Sequence, residues 1–161
     1  MSLRAGLLAL ALGGAALAAC GHDQTLQARP SGYGLYFNDR ESSVSLAYGV
    51  GESDVVALML ECAKGSGAVE VSDLVRDKPA DALTLSSSGR SVALSAVTER
   101  SESSEPLVIK AKLAARARVL QAFRRSGQIS IAYGGVRYGL EATAAERAGV
   151  ERFFTACQTA A

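Results

Sequence analysis

The chain carries one histidine, His22, near its N-terminus. The sequence after His22 therefore has no histidine to serve as the general base of a catalytic triad or dyad. Zinc sites that contain histidine are excluded from that part of the chain for the same reason. No Ser-x-x-Lys and no Gly-x-Ser-x-Gly motif occurs, so the familiar serine nucleophiles are also missing. The residue types argue against a familiar hydrolase, and we expect neither a cofactor nor a metal site.

Carboxylate pairs are the remaining candidates for acid–base chemistry. Glu52 with Asp54, and Asp73 with Asp77, have the composition of a glycosidase pair. Aspartate and glutamate also occur commonly at turns, where they are solvated, and the chain has no tryptophan to stack on a sugar ring. The sequence therefore favours solvated turn residues at all four positions.

A glycine-containing segment and a group of basic residues are the candidates for anion binding. The segment 64–67, Lys-Gly-Ser-Gly, lacks the Gly-Lys-Ser/Thr end of a phosphate loop, so we interpret it as an ordinary loop. Basic residues on and near a predicted helix could contact an anionic membrane or glycan, although a solvated helix face is the favoured interpretation. These residues are Lys110, Lys112, Arg118, Arg125 and Arg137.

Charge is balanced over the chain but not along it. The sequence has 17 Lys and Arg against 16 Asp and Glu, which argues against a nucleic-acid-binding protein. Segment 41–105 carries 11 acids and 5 bases, whereas segment 106–140 carries 7 bases and no acid. The two kinds of charge are thus separated in sequence, which leaves their separation in space open.

The N-terminus has the layout of a secretory signal. Arg4 precedes an apolar run of 15 residues, Ala5–Ala19, which is shorter than the roughly 20 residues of a membrane-spanning helix. Gly13 and Gly14 would weaken a helix in the middle of this run. We therefore expect a segment that directs export and is then removed.

The string Leu-Ala-Ala-Cys at 17–20 resembles the lipobox of bacterial lipoproteins. The resemblance implies cleavage before Cys20 and attachment of diacylglycerol to its sulfur, so that lipid holds the protein at a membrane without a spanning helix. Gly21 stands where aspartate is linked with inner-membrane retention, which implies the outer membrane. An ordinary signal peptide followed by a chance cysteine is the alternative. The chain then divides into a signal peptide (1–19), a flexible tether (20–31) and one globular domain (32–161).

With Cys20 assigned to lipid, Cys62 and Cys157 are the two cysteines that remain. An even pair in an exported protein predicts a disulfide. Alternation places Cys62 on the core face of a strand, and helical spacing places Cys157 on the apolar stripe of the last helix. The bond would therefore staple the C-terminal helix to the sheet.

Periodicity predicts the elements that position these residues. Alternating apolar residues predict strands at 43–50, 56–62 and 69–75, with the second strand covered on both faces, and two-residue turns predict hairpins centred on 88–89 and 134–135. Helical spacing begins at Leu113 and ends at Ser126-Gly127, and Thr143 with Glu146 forms a capping box for the last helix. The predicted fold is α+β: an antiparallel sheet or small sandwich with one or two helices packed on it.

Three functions are compatible with these features. The favoured one is a non-enzymatic, lipid-anchored envelope protein that binds or assembles with another envelope protein or polymer. The second is a lipid-anchored inhibitor of a hydrolase, for which the Ser- and Glu-rich segment 99–105 would be the inserting loop. The third is an enzyme of an unfamiliar type.

Overall fold

The computed structural model describes residues 29–75, 79–100 and 107–158. The predicted signal peptide, the lipidation site Cys20 and most of the predicted tether lie outside the described residues. Within the described ranges, no helix is both long enough and apolar enough to cross a bilayer.

Ten antiparallel strands and two helices make up the described chain. In chain order they are β1 (Tyr33–Asp39), β2 (Ser43–Val50), β3 (Val56–Ala63), β4 (Ala68–Val75), β5 (Ala82–Ser87), β6 (Arg90–Ser95), β7 (Val97–Arg100), β8 (Leu107–Ala114), α1 (Arg118–Ser126), β9 (Gln128–Tyr133), β10 (Val136–Glu141) and α2 (Ala144–Gln158). One sheet has six strands in the order β1-β2-β3-β4-β8-β7, and the other has four in the order β10-β9-β5-β6. The predicted α+β class is confirmed.

A single hydrophobic core joins the two sheets and both helices. Val44, Leu46 and Tyr48 of β2 point into it, because alternate residues of a strand face the same side of a sheet. Helix α2 packs on β1 and β2, while the smaller sheet contacts β8. One face of the larger sheet is therefore covered partly by a helix and partly by the second sheet.

Both predicted hairpins are confirmed with their registers. Leu85 pairs with Val92 across the first turn, and Ile131 pairs with Tyr138 across the second. Ser88 and Gly89 have φ values of 44° and 71°, and positive φ at both central residues is the requirement of the turn that matches strand twist. Short-range turn geometry thus determines both pairings.

The predicted start of the first helix is wrong. Leu113 belongs to β8, where it pairs with Val69, and α1 begins only at Arg118. The ladder between β4 and β8 extends to the pair Ala68 and Ala114. These interstrand hydrogen bonds hold the segment extended in spite of its helical spacing of apolar residues. The end of α1 at Gly127, which has φ of 75°, agrees with the prediction.

The predicted staple between α2 and the larger sheet is confirmed. Cys62 and Cys157 form a disulfide with their Cα atoms 5.7 Å apart, within the usual range for such bonds. At the other end of α2, the Glu146 amide donates to the Thr143 hydroxyl (3.3 Å), and the Thr143 amide donates to the Glu146 carboxylate (2.7 Å). The capping box is therefore also confirmed.

The loop at 64–67 closes the C-terminal end of α2. The Gly65 amide donates to the Ala156 carbonyl (3.0 Å), and the Gly67 amide donates to the Cys157 carbonyl (2.9 Å). The last carbonyls of a helix lack partners within the helix, so this loop supplies the donors they need. Gly65 and Gly67 have φ values of 72° and 67°, which glycine adopts without steric cost, so the glycines of this loop are explained by the fold.

Two further expectations are corrected. Strand β3 is central in its sheet but is not covered on both faces, because Ala57 and Met59 on its second face are only partly buried. The segment predicted to be a loop from Glu99 begins instead as strand, since Glu99 and Arg100 pair with β8. Residues 101–105 of that segment lie outside the described residues.

Candidate binding site

Asp73 is buried in the middle of the larger sheet, and its assignment as a solvated turn residue is wrong. It lies in β4 between Leu58 of β3 and Ile109 of β8, and only 3% of its surface is exposed. Asp77, its suggested carboxylate partner, lies outside the described residues. The signal that could have found it is the alternation of Val69, Val71, Asp73 and Val75, which puts this carboxylate on the same strand face as the three valines.

Two tyrosines of the smaller sheet reach across to Asp73 and its neighbour. The Tyr138 hydroxyl donates a hydrogen bond of 2.6 Å to Oδ2 of Asp73. The Tyr133 hydroxyl donates to the Leu74 carbonyl at 3.0 Å. The β9–β10 hairpin positions both rings, because its tight turn places Tyr133 at the end of one strand and Tyr138 near the start of the next.

Burial determines the protonation of this group. Desolvation raises the pKa of Asp73 to about 7, although hydrogen bonds from Tyr138 and from the Leu74 amide oppose the shift. Burial and the neighbouring Asp73 carboxylate also raise the pKa of Tyr138. The carboxyl of Asp73 can therefore gain or lose a proton near neutral pH, while the Tyr138 hydroxyl keeps its own.

Asp73 lines a cleft of about 230 Å³ at one end of the larger sheet. The cleft forms where β10, the edge strand of the smaller sheet, approaches the start of β3 and the end of β4. Val55 and Val136 are 48% and 43% exposed, and they lie where the cleft opens to solvent. Its walls are three tyrosine rings and mainly aliphatic groups, contributed by Tyr33, Val55, Val56, Ala57, Leu74, Tyr133, Val136 and Tyr138.

The charge of this lining comes from one residue. Asp73 is the one carboxylate among the described residues that line the cleft, and neither lysine nor arginine lines it. A concave, mainly apolar surface with a few convergent polar groups is the usual form of a small-molecule site. The arrangement can hold a small molecule with an apolar part and one polar group directed at Asp73.

Hydrogen bonds attach the segment before β1 to α2. The Arg29 guanidinium donates two hydrogen bonds, of 2.7 and 2.8 Å, to the Glu146 carboxylate, which also accepts from the Leu35 amide at 2.8 Å. Burial alone would raise the pKa of Glu146, but its donors, with Thr143 among them, lower that pKa to about 2. Arg29, within the predicted flexible tether, is thus a fixed part of the domain.

The basic residues suggested for anion contact are divided among three elements. Lys110 and Lys112 lie on β8 rather than on a helix, and they pair with Glu99 (2.7 Å) and Glu70 (3.3 Å). Arg118 and Arg125 lie on α1, Arg137 lies on β10, and all three are exposed. Two of the five charges are therefore neutralised locally, and the group does not form one helix face.

The described residues contain no group of three or more His, Cys, Asp or Glu side chains close enough to hold a metal ion. Comparison of the chain with protein-family models, with curated proteins and with solved structures finds no match. The cleft is therefore interpreted from its own chemistry.

Proposed function

We propose that this chain is a lipid-anchored, non-enzymatic binding module of the bacterial outer membrane, and that its ligand site is the cleft around Asp73. The lipobox-like string at 17–20 supports the anchor. The cleft supports the binding role, because it combines an apolar wall with one buried carboxyl group.

The single observation that carries the binding role is the position of Asp73 in the wall of the cleft. A purely structural core would place an apolar side chain here, since burial of a carboxyl group is costly even with hydrogen bonds. Asp73 instead lines a space that a small molecule can enter. The interaction of a ligand with this carboxyl group would then offset the free-energy cost of burying it.

The volume of the cleft limits the size of the ligand that can bind in it. Pockets for drug-sized molecules are about 300 to 1,000 Å³, and this one is about 230 Å³. The ligand is therefore a smaller molecule, or one end of a larger one whose remainder stays outside near Val55 and Val136.

The hydrolase-inhibitor hypothesis gains no support from the described residues. Glu99, at the start of the suggested inserting loop, is held in β7 by its pairing with Val108 and by its ion pair with Lys110. The cleft around Asp73, in contrast, supports the proposal of a binding module.

Nuclear magnetic resonance with six-carbon probes tests the binding role. Hexylammonium, 1-hexanol and hexanoate are titrated separately into the purified full-length protein, and the ring signals of Tyr33, Tyr133 and Tyr138 are followed. We expect at least one probe to shift these signals in a saturable way. Val136→Trp should block the shift at the rim of the cleft, whereas Val97→Trp, at another exposed valine outside the lining, should not. If no probe shifts the tyrosine signals, the proposed binding role is wrong.

A further inference from the structure

We infer that the cleft binds the ammonium group of a small organic amine, with Asp73 as the counter-ion and the tyrosine rings as the surrounding wall. The inference rests on the proposed binding function and names the ligand class for the same site. Three features of the lining lead to it: its charge, its hydrogen-bonding capacity and its aromatic character.

The charge of the lining favours a cation. When Asp73 is ionised, the cleft has a negative group and no basic side chain in its wall to neutralise it. An ammonium group would form a charge-assisted hydrogen bond with this carboxylate in a site of reduced solvent access. A carboxylate or phosphate ligand would meet a like charge and no compensating donor.

Hydrogen-bonding capacity points the same way. The Tyr138 hydroxyl donates its hydrogen to the Asp73 carboxylate, and the Tyr133 hydroxyl donates its hydrogen to the Leu74 carbonyl. A hydroxyl oxygen and a carboxylate keep acceptor positions after such bonds form. The Asp73 carboxylate therefore presents an acceptor to a ligand, and the ligand must bring a hydrogen-bond donor, which an ammonium group supplies together with the complementary charge.

The aromatic wall suits an ammonium group with a short apolar body. Tyr33 is packed against Tyr48 with ring centroids 5.3 Å apart, so the position of its ring is fixed. Cations are attracted to the faces of aromatic rings, most strongly where water is excluded. Val55 and Val136 provide an apolar surface for the carbon chain.

A metal cation is the competing positive ligand, and the lining does not suit one. Calcium takes six to eight oxygen ligands and magnesium takes six, whereas the cleft supplies one carboxylate, whose Oδ2 already accepts from Tyr138. An organic ammonium needs fewer acceptors and uses the rings as well.

The position of the cleft bears on where the amine comes from. Tyr33 lines the cleft four residues after Arg29, which is fixed on α2. With lipid on Cys20, eight residues lie between the anchor and Arg29, and this length of chain allows at most about 30 Å between the two residues. An aminophospholipid headgroup and a dissolved amine are therefore both within reach of the cleft.

The test compares hexylammonium with its uncharged counterpart, 1-hexanol, by calorimetric titration of the full-length protein at pH 8. We expect hexylammonium to bind at least about tenfold more tightly than hexanol, because only the ammonium pairs with the carboxylate. Asp73→Asn should remove this preference. Asp81→Asn, a matched change at an exposed aspartate, should keep it. Circular dichroism confirms that both variants are folded.

Two results would overturn the ammonium inference and leave the binding role standing: equal affinities for the two probes, or an unchanged preference in Asp73→Asn. Absence of binding by every six-carbon probe would instead remove the binding role as well. Vesicles identify the source of the amine. Competition with hexylammonium by phosphatidylethanolamine, but not by phosphatidylcholine, which has no N–H donor, indicates a lipid headgroup. Retained hexylammonium binding in the presence of both indicates a dissolved amine.

Discussion

The hydroxyl of Tyr138 donates a 2.6 Å hydrogen bond to Oδ2 of Asp73, and so ties the edge strand of the smaller sheet to the interior of the larger one. The two residues are 65 positions apart in the chain. Because the carboxyl is almost completely buried, this contact has consequences for stability as well as for ligand binding.

Asp73 should make the protein less stable as the pH rises from about 4 to about 7. Its pKa is about 7 in the folded protein against 3.8 for a free carboxyl, so the folded state binds the proton more tightly. Stability is then highest below about pH 4 and falls by up to about 4 kcal/mol as the pH approaches 7. Urea unfolding of Asp73→Asn at pH 4 to 8 should lack this fall and should exceed the wild type in stability at pH 8. Parallel profiles for the two proteins would contradict the prediction, and Asp81→Asn is the control.

Glu146 should act in the opposite direction at acid pH. Its pKa is lowered from 4.5 to about 2, so its contribution is present above pH 4.5 and is lost as the pH falls toward 2. Glu146→Gln should therefore reduce stability at pH 6 by about 2 kcal/mol, allowing for screening of the partly exposed pair with Arg29. The variant should also lose most of the acid-dependent change below pH 4.5. Glu61→Gln serves as the comparison, and an equal loss in both variants would count against this role of Glu146.

Removal of the disulfide should weaken the attachment of α2 to the larger sheet. The double variant Cys62→Ala, Cys157→Ala should lose about 2 to 5 kcal/mol of unfolding free energy, because the bond links positions 95 residues apart. Urea titration measures the loss, and peptide mass spectrometry of the unreduced protein should find the two cysteines linked. Free thiols at both positions in the exported protein would contradict the assignment.

Cys20→Ser should abolish lipid attachment. In bacteria grown with radioactive palmitate, the wild-type chain and Cys157→Ser should be labelled, since Cys157 lies outside the lipobox-like string. The Cys20→Ser chain should remain unlabelled. Labelling of that variant at the wild-type level would show that the anchor assignment is wrong.

The sequence by itself determined the features that depend on near neighbours. The hairpin turns at 88–89 and 134–135 require positive φ at adjacent residues, and once such a turn is set, the register of its strands follows. The capping box of Thr143 and Glu146 is likewise contained within one helical turn. The disulfide could be predicted from the sequence because only two cysteines remain once Cys20 is assigned to lipid, and each of the two falls on an apolar face.

Tertiary structure alone decided the features that depend on distant partners. Leu113 has the spacing of a helix residue, yet pairing with β4 keeps it in a strand, because the interstrand hydrogen bonds override local spacing. We predicted Asp73 to be a solvated turn residue, although alternation with its neighbouring valines could have placed it on the apolar face; no local pattern brings Tyr138 to it or leaves an open cleft beside them. That contact arises only when the smaller sheet packs on the larger one, so the candidate site exists in the packing of the two sheets and in neither sheet separately.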